Sequence, residues 1–501
     1  MKRRTVVRGL TAAAAAPAAG LTAAAAARAA APPSRGPASP AADSLVFDPK
    51  AYTELTTTIE DTEGMAHEVV YRFTKVASYV AKPVDPAYQS LNVSVPVRID
   101  GKAVDAGRAP ILLANQIGGY MPSSVAAAIG INASGVGGGT SRQGLALAAG
   151  YVVVEPGARG RTLVDSSGTY YGTAPAVIVD LKAAVRYLKF NKGRVPGDVD
   201  RIVSAGVSAG GAVSALLGAS GDSPLYRPYL EALGAAPGSD AIHATGTWCP
   251  ITDLEHADMA YEWCWGTNPL RDGSLVDRAV SRELATSYGD YLASLHLKAT
   301  GVGPLTARTM DTYLLKTFME PSATKHLASL SDADRTAYLA AHPFLTWSHG
   351  RAAFTWVDFL NHVGPRKKNA PAFDDFAMTS PETNLFGTGT TKARHFTLYS
   401  LRHANGDSAR LAPDLPAKLR LMNPMPHLAG AGNGHRSRHW WIRLGTKDTD
   451  TSHTVAGNLA ARLTALGDDV NAACYWDAGH GADEDPADFI RWIAAVADRR
   501  R

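Results

Sequence analysis

Six residues restrict this chain more than any other stretch: Gly206-Val207-Ser208-Ala209-Gly210-Gly211. They follow a short run of buried-strand character, Arg201-Ile202-Val203-Ser204-Ala205, and precede a helix-forming run, Ala212 to Leu217. A strand that turns at once into a helix forces the residue at the corner into a strained backbone conformation. Small residues at 206 and 210 let the two elements approach closely. The hydroxyl of Ser208 then projects from the carboxyl edge of a sheet, and the Ala209 N–H at the helix start faces a developing oxyanion. A G-x-S-x-G string alone carries little weight in a chain with 47 glycines. The strand and helix on either side carry the reading.

The wider pattern agrees with a layered sheet. Pro110 to Asn115, Tyr151 to Glu155 and Arg201 to Ala205 are short continuous apolar runs that suit strands covered on both faces. Leu91-Asn92-Val93-Ser94-Val95-Pro96 alternates apolar and polar residues, as in a half-buried strand. Residues 174–190 have helical spacing, with Val177, Leu181, Ala184, Val185 and Leu188 on one side. Strands alternating with helices predict a mostly parallel α/β sheet. The alternation stops from about residue 250 to 435, where helix-compatible stretches dominate. It resumes at Trp440 to Leu444 and Val470 to Trp476, and an amphipathic helix fits 485–498. The strands that close the sheet therefore come after the interruption. This predicts an α/β-hydrolase core of 49–248 and 437–501 carrying a large inserted lid domain, 249–436.

The chain begins with Lys2, Arg3, Arg4 and Arg8, then an Ala-rich apolar run, then Ala27-Arg28-Ala29. That order reads as a signal peptide over 1–31, and Arg3-Arg4 fits the twin-arginine pathway. Residues 32–48, rich in Pro, Ala and Ser at their start, read as a linker. The expectation is a secreted protein with no membrane attachment once the signal is removed. The whole chain carries +4, but the first 31 residues hold five of its basic residues and no acid, which leaves the remainder near −1. No basic patch remains to argue for nucleic acid. The chain is 46% hydrophobic and 19% charged, which suits a large core. Its three cysteines, Cys249, Cys264 and Cys474, have neither metal-site nor redox-pair spacing. Cys249 and Cys264 are open to two readings, a single disulfide or buried free thiols.

A serine nucleophile needs a base, and the base needs a carboxylate to hold its tautomer. In α/β-hydrolases the chain order is serine, acid, histidine. His480, in Asp477-Ala478-Gly479-His480-Gly481, falls between the last expected strand and the last helix; His453, His435 and His439 are weaker rivals. Asp448, in Gly445-Thr446-Lys447-Asp448-Thr449-Asp450, lies just past an expected strand. Asp448 or Asp450 would alternatively cap the helix expected from Ser452, and Asp477 is a remoter candidate acid. A second oxyanion donor is expected from Asn115-Gln116-Ile117-Gly118-Gly119-Tyr120, through Gly118 and Gly119.

These residues, together with Gln89 to Val93, Gly118-Gly119-Tyr120-Met121, Pro156 to Arg161, Cys249-Pro250-Ile251-Thr252-Asp253-Leu254 and Asp448-Thr449-Asp450-Thr451-Ser452, resemble bacterial tannases, α/β-hydrolases that cleave galloyl esters. The resemblance spans most of the chain. It implies that Asp448, the first acid of Asp-x-Asp, completes the triad. It also implies that Asp450, with a lysine and a glutamate of the lid, holds the galloyl hydroxyls. The matching lid residues are Lys368, with Lys367 as a close rival, and Glu382. Without the resemblance these two lid residues would read as surface charge. The implied partner is a small aromatic ester, with no metal and no organic cofactor. A feruloyl or other aromatic-acid esterase, a peptidase or lipase, and a catalytically inactive binding protein on the same fold stay open.

Overall fold

A computed structural model of the chain describes residues 45–135 and 139–498. The expected signal peptide, 1–31, and residues 32–44 of the expected linker lie outside the described residues.

The strands of the main sheet, in chain order, are β1 (Thr53–Glu60), β2 (Ala66–Val76), β3 (Leu91–Ile99), β4 (Ile111–Ala114), β5 (Val152–Pro156), β6 (Ile202–Val207), β7 (Ala244–Trp248), β8 (His439–Gly445) and β9 (Asp469–Tyr475). Their spatial order is β1-β2-β3-β5-β4-β6-β7-β8-β9, with the two-residue strand Lys102–Ala103 paired to β3. The pairs β1/β2, β2/β3 and β3/β5 are antiparallel, and every later pair is parallel. The parallel half needs crossover helices, and these cover both faces. They include α1 (Arg142–Ala148), α2 (Ala176–Phe190) and α3 (Ala209–Ala219). Strands β4 and β5 are accordingly buried at every position.

Between β7 and β8, which are sheet neighbours, the chain makes a long excursion built mostly of helices. Its elements include α4 (Leu254–Trp265) and the one-turn helix α5 (Pro381–Leu385). The sheet then closes with β8, α6 (His453–Ala465), β9 and α7 (Pro486–Ala497). The excursion and the sheet share one continuous hydrophobic core. Leu314, Phe318 and Met319 of the excursion belong to the same cluster as Leu444 of β8 and Val455 of α6.

Two expectations need correction. Residues 91–96 are buried at every position instead of alternating. β3 lies inside the sheet with both faces covered. Of its polar residues, the Asn92 side chain donates to Val125 O at 3.0 Å, while the buried Ser94 hydroxyl has no partner among the described residues. Residues 470–476 read as a fully buried strand, yet β9 is partly exposed over most of its length. It is the last strand of the sheet and has a neighbour on one side only.

The close approach of strand and helix at the elbow is a packing fact. A Cβ on Gly206 would lie 2.3 Å from Gly210 O and 2.5 Å from the Asn115 amide nitrogen. Neither atom can yield cheaply, because one is helix backbone and the other is held by three hydrogen-bond acceptors. Gly206→Ala is therefore expected to destabilise the fold by about 1–3 kcal/mol, as overpacking does. Differential scanning calorimetry should show a lower unfolding midpoint; an unchanged midpoint would contradict this packing.

Candidate active site

Strand register brings the chemistry to one edge. Val207 pairs with Trp248, Trp248 with Arg443, and Gly445 with Tyr475, so the carboxyl ends of β6, β7, β8 and β9 finish nearly level. The residues just beyond those ends are Ser208, Cys249, the 446–450 loop and the 476–480 loop. Ligand sites of open parallel sheets form at this edge because loops from several strands converge there.

Ser208 occupies the corner with φ 61° and ψ −123°, far from any ordinary conformation of an L-residue. Its neighbours hold it there. The Ser208 N–H donates to Trp248 O at 3.0 Å, and its carbonyl accepts from Ala212 N at 2.9 Å and Ile251 N at 3.3 Å. Five of the ten described non-glycine residues with positive φ lie on loops at this edge: Tyr120, Ser208, Cys249, Asp253 and Asp477. Strain of this kind persists only where the surroundings over-determine the backbone.

The Ser208 hydroxyl donates to His480 Nε2 at 2.9 Å, and His480 Nδ1–H donates to Asp448 Oδ2 at 2.8 Å. The direction follows from chemistry. A carboxylate only accepts, so the proton sits on Nδ1 and Nε2 is left to receive the serine proton. Asp448 is fully buried and its other oxygen accepts from Asp450 N–H at 2.9 Å. Burial of His480 opposes its protonation. The hydrogen bond to Asp448, with the Cys249 sulfur beside the ring, outweighs that and raises the imidazole well above its ordinary range.

The rival histidines lie elsewhere. His453 Nε2–H donates to Thr446 O, His439 pairs with Asp469, and exposed His435 pairs with Asp222. Asp477 does not serve His480 either; it binds Tyr338, His362 and Lys447. The capping alternative for Asp448 and Asp450 is also corrected. Ser452 caps α6, accepting from Thr454 N. Asp450 instead accepts from Lys367 Nζ at 2.6 Å.

The Ala209 N–H sits in the first turn of α3, where backbone donors have no helical acceptor. The loop carrying Gly118 and Gly119 is tied to that turn through Asn115, whose side-chain nitrogen lies 3.0 Å from Ala205 O, 3.2 Å from Gly210 O and 2.9 Å from Ser214 Oγ. On its outer side the Arg161 Nε–H donates to Gly119 O at 2.8 Å.

Lys368 and Glu382, which lie on the excursion between β7 and β8, approach this same edge. Lys368 is a half-buried cation. Burial lowers its pKa, while the Glu382, Asp450 and Asp258 carboxylates pull the other way. Its Nζ sits 3.5 Å above the Phe373 ring centroid. Glu382 is buried on α5 and its Oε2 has no hydrogen-bond partner among the described residues. Glu382 in turn acts electrostatically on Arg161 and Tyr120. Hydrogen bonds join Ser208, His480, Asp448 and the Asp450 N–H. Electrostatic interactions at longer range link Asp450 to Lys368, Lys368 to Glu382, and Glu382 to Arg161 beside the Gly118–Gly119 loop. Lys367, the rival of Lys368, is half exposed and closes on Asp450 from outside.

Sequence reasoning missed several participants. Cys249 Sγ, a carboxylate oxygen of Asp448 and a ring nitrogen of His480 lie within 4.8 Å of one another. Cys249, Cys264 and Cys474 are all buried free thiols, so the alternative of a Cys249–Cys264 disulfide is not adopted. The available signal for Cys249 was its place one residue past a strand, the same relation Ser208 bears to β6. That strand, Ala-Thr-Gly-Thr-Trp, has too little aliphatic character to be read in advance. A separate cleft of about 480 Å³ lies at the opposite, amino edge of the sheet, lined by Arg108, Lys192, Arg194 and Asp198 among others. It contains none of the residues above.

Comparison with known proteins agrees with this geometry. The family described as BD-FAE matches residues 141–276, the part that contains Ser208 and Cys249. No curated protein sequence matches the chain. Among solved structures, the Fusobacterium nucleatum tannase is 34% identical with a TM-score of 0.78, covering 91% of this chain and 99% of its own. The native tannin acyl hydrolase from Lactobacillus plantarum gives 34%, 0.78, 91% and 99% for the same quantities. A tannin acyl hydrolase in complex with ethyl gallate is 35% identical, with a TM-score of 0.79 and the same two coverages. Identity at this level over nearly the whole of both chains places the protein: it belongs to the bacterial tannase (tannin acyl hydrolase) family, carboxylic ester hydrolases of the α/β-hydrolase fold.

Proposed function

We propose that this protein hydrolyses galloyl esters of the tannin type through a Ser208–His480–Asp448 triad and an acyl-enzyme. The observation that carries the reading is the hydrogen-bonded chain from Ser208 to Asp448, continued two residues on by Asp450 and across to Lys368 and Glu382. His480 Nε2 takes the proton of Ser208 Oγ as the oxygen attacks the ester carbonyl. The C–O bond to the alcohol then breaks as His480 returns the proton to it. Water, deprotonated by the same nitrogen, releases the acid and restores Ser208. Ala209 N–H and the Gly118–Gly119 loop hold the oxyanion in both steps. Adjacent phenol hydroxyls both donate and accept. Glu382 and Asp450 accept from them and Lys368 donates, so a ring lacking the hydroxyls leaves these partly or fully buried charges without those hydrogen bonds. The lone Oε2 of Glu382 fits this role. Export by the twin-arginine route, read from Arg3-Arg4, belongs to the same proposal. Among the described residues no helix is long and apolar enough to cross a membrane.

The defining test compares methyl gallate, methyl ferulate and p-nitrophenyl acetate. Wild type is expected to prefer methyl gallate strongly, and Ser208→Ala to lose kcat on all three by on the order of 10⁵–10⁶. Lys368→Met, Asp450→Asn and Glu382→Gln are each expected to lower kcat/KM for methyl gallate by about 10- to 100-fold, the cost of removing one charged hydrogen bond. Equal activity on gallate and ferulate would end the galloyl reading and keep the triad.

The pH profile gives a second check. The base works as neutral imidazole, so kcat/KM rises with pH through the His480 pKa. Because that pKa is raised, the acid limb is expected above about pH 6.5, the ordinary value for histidine. Asp448→Asn removes the interaction that raises it, so the limb should move to lower pH while kcat falls by about 10⁴. A limb that stays in place would detach Asp448 from His480.

Replacing Arg3 and Arg4 together by lysine is expected to keep the protein inside the cell, as read by fractionation and immunoblotting. Unaltered secretion would reject the twin-arginine route.

A further inference from the structure

Helix α4 carries Asp258, Tyr261, Glu262 and Trp265 at i, i+3, i+4 and i+7, which places all four on one face. All four are buried, and their polar atoms bond to the segments that carry Lys368 and the 448–451 loop, directly or through Arg366. Asp258 accepts from Phe373 N at 2.6 Å, under the ring that carries Lys368 Nζ. Glu262 forms a fully buried bidentate pair with Arg366. Arg366 Nε–H in turn donates to the carbonyl of Lys368 at 2.8 Å. The Trp265 indole N–H donates to Thr451 O at 2.8 Å. Tyr261 joins the two halves directly. Its hydroxyl donates to Thr449 O at 2.7 Å and accepts from Lys368 N–H at 3.1 Å.

We propose that Tyr261 is a positioning residue that sets the ring-binding groups against the bond-cleaving groups, an inference that rests on the galloyl reading above. Thr449 lies between Asp448 and Asp450, and Asp450 N–H is bonded to Asp448 Oδ1. One phenol oxygen therefore fixes the backbone of Lys368 relative to the loop that bears both the triad acid and the galloyl acceptor. The chain itself supplies no such link, because Lys368 and Thr449 belong to segments far apart in sequence. The Tyr261 ring has other supports, an edge contact with Phe373 and the Arg366 guanidinium 4.9 Å above it. Its hydroxyl is thus separable from its packing. Removing the hydroxyl takes this partner from the Thr449 carbonyl and the Lys368 N–H, and the two segments keep only the outer, half-exposed Lys367–Asp450 link between these neighbouring positions. A shift of about 1 Å between a bound ring and a nucleophile is enough to cost on the order of 10² in rate.

The test is Tyr261→Phe, which keeps the ring, assayed on methyl gallate and p-nitrophenyl acetate. Only the first substrate has hydroxyls to be positioned. The ratio of the two kcat/KM values is expected to fall about ten-fold or more, with the loss on methyl gallate chiefly in kcat, because the ring still binds but the carbonyl is misaligned. In a Lys368→Met background, where the ring is no longer anchored at that end, Tyr261→Phe is expected to change the ratio by less than about two-fold. A parallel loss on both esters would reduce Tyr261 to a structural support and overturn the proposal. So would a full effect persisting in the Lys368→Met background. A wild type with no preference for methyl gallate over methyl ferulate would overturn the galloyl reading itself and the positioning role with it. That result is distinct from a gallate-selective wild type whose selectivity survives Tyr261→Phe, which overturns the positioning role alone. Circular dichroism melting of each variant checks that the comparison is between folded proteins.

Discussion

The site depends first on the backbone of Ser208. A serine at positive φ is unfavourable, and no side-chain contact of its own compensates for that. Trp248 O on one side and Ala212 N–H and Ile251 N–H on the other hold the corner. Those partners are placed by the parallel register of β6 with β7, and that register in turn rests on helices packed against both faces of the sheet. The strain at one residue is thus distributed over a large core. Loops without such a scaffold could not keep a hydroxyl in this orientation.

The same edge shows how the long excursion between β7 and β8 becomes part of the site. Its helix α4 leaves the end of β7 through Cys249 to Asp253, a segment with positive φ at both ends. The Asp253 carboxylate is held there by His256, Tyr291 and Asn423. Farther along, Tyr338 and His362 hold Asp477, three residues before His480. The excursion therefore grips the loops on both sides of the Ser208–His480–Asp448 cluster, and it contributes charges, buried Glu382 and half-buried Lys368, that the sheet does not provide. This is consistent with the burial of Glu382 and the partial burial of Lys368: each interacts with opposite charge, Glu382 with Lys368 and Arg161, and Lys368 with Glu382, Asp450 and Asp258.

Buried charge here has two different uses. Arg366 with Glu262, and Arg159 with Asp180, are paired at short range and hold backbone segments together. Lys368 and Glu382 are not paired to each other at such distance, and Glu382 keeps an oxygen without a donor. Pairs of the first kind build architecture. Groups of the second kind leave hydrogen-bonding capacity unused within the chain.

Local pattern alone determined a good deal of this protein. The apolar runs and the helical spacing of 174–190 are short-range signals; the runs located most of the parallel strands, and the spacing located the helix at 176–190. The G-x-S-x-G turn, with Asp448 and His480 each just past a strand, identified the three residues that meet at 2.8 and 2.9 Å. These succeed because a strand's carboxyl end in a parallel sheet always faces the same edge, so sequence position translates into spatial position. Tertiary structure decided what depends on contacts between distant segments. It set Cys249 beside His480, chose Ser452 over Asp450 as the helix cap, and half-buried Lys368 while leaving Lys367 exposed. It also brought Tyr261 between Lys368 and Thr449. No periodicity encodes such meetings. They follow from how a helical excursion packs back over the sheet it interrupts, and that packing is a sum over many side chains with no local signature.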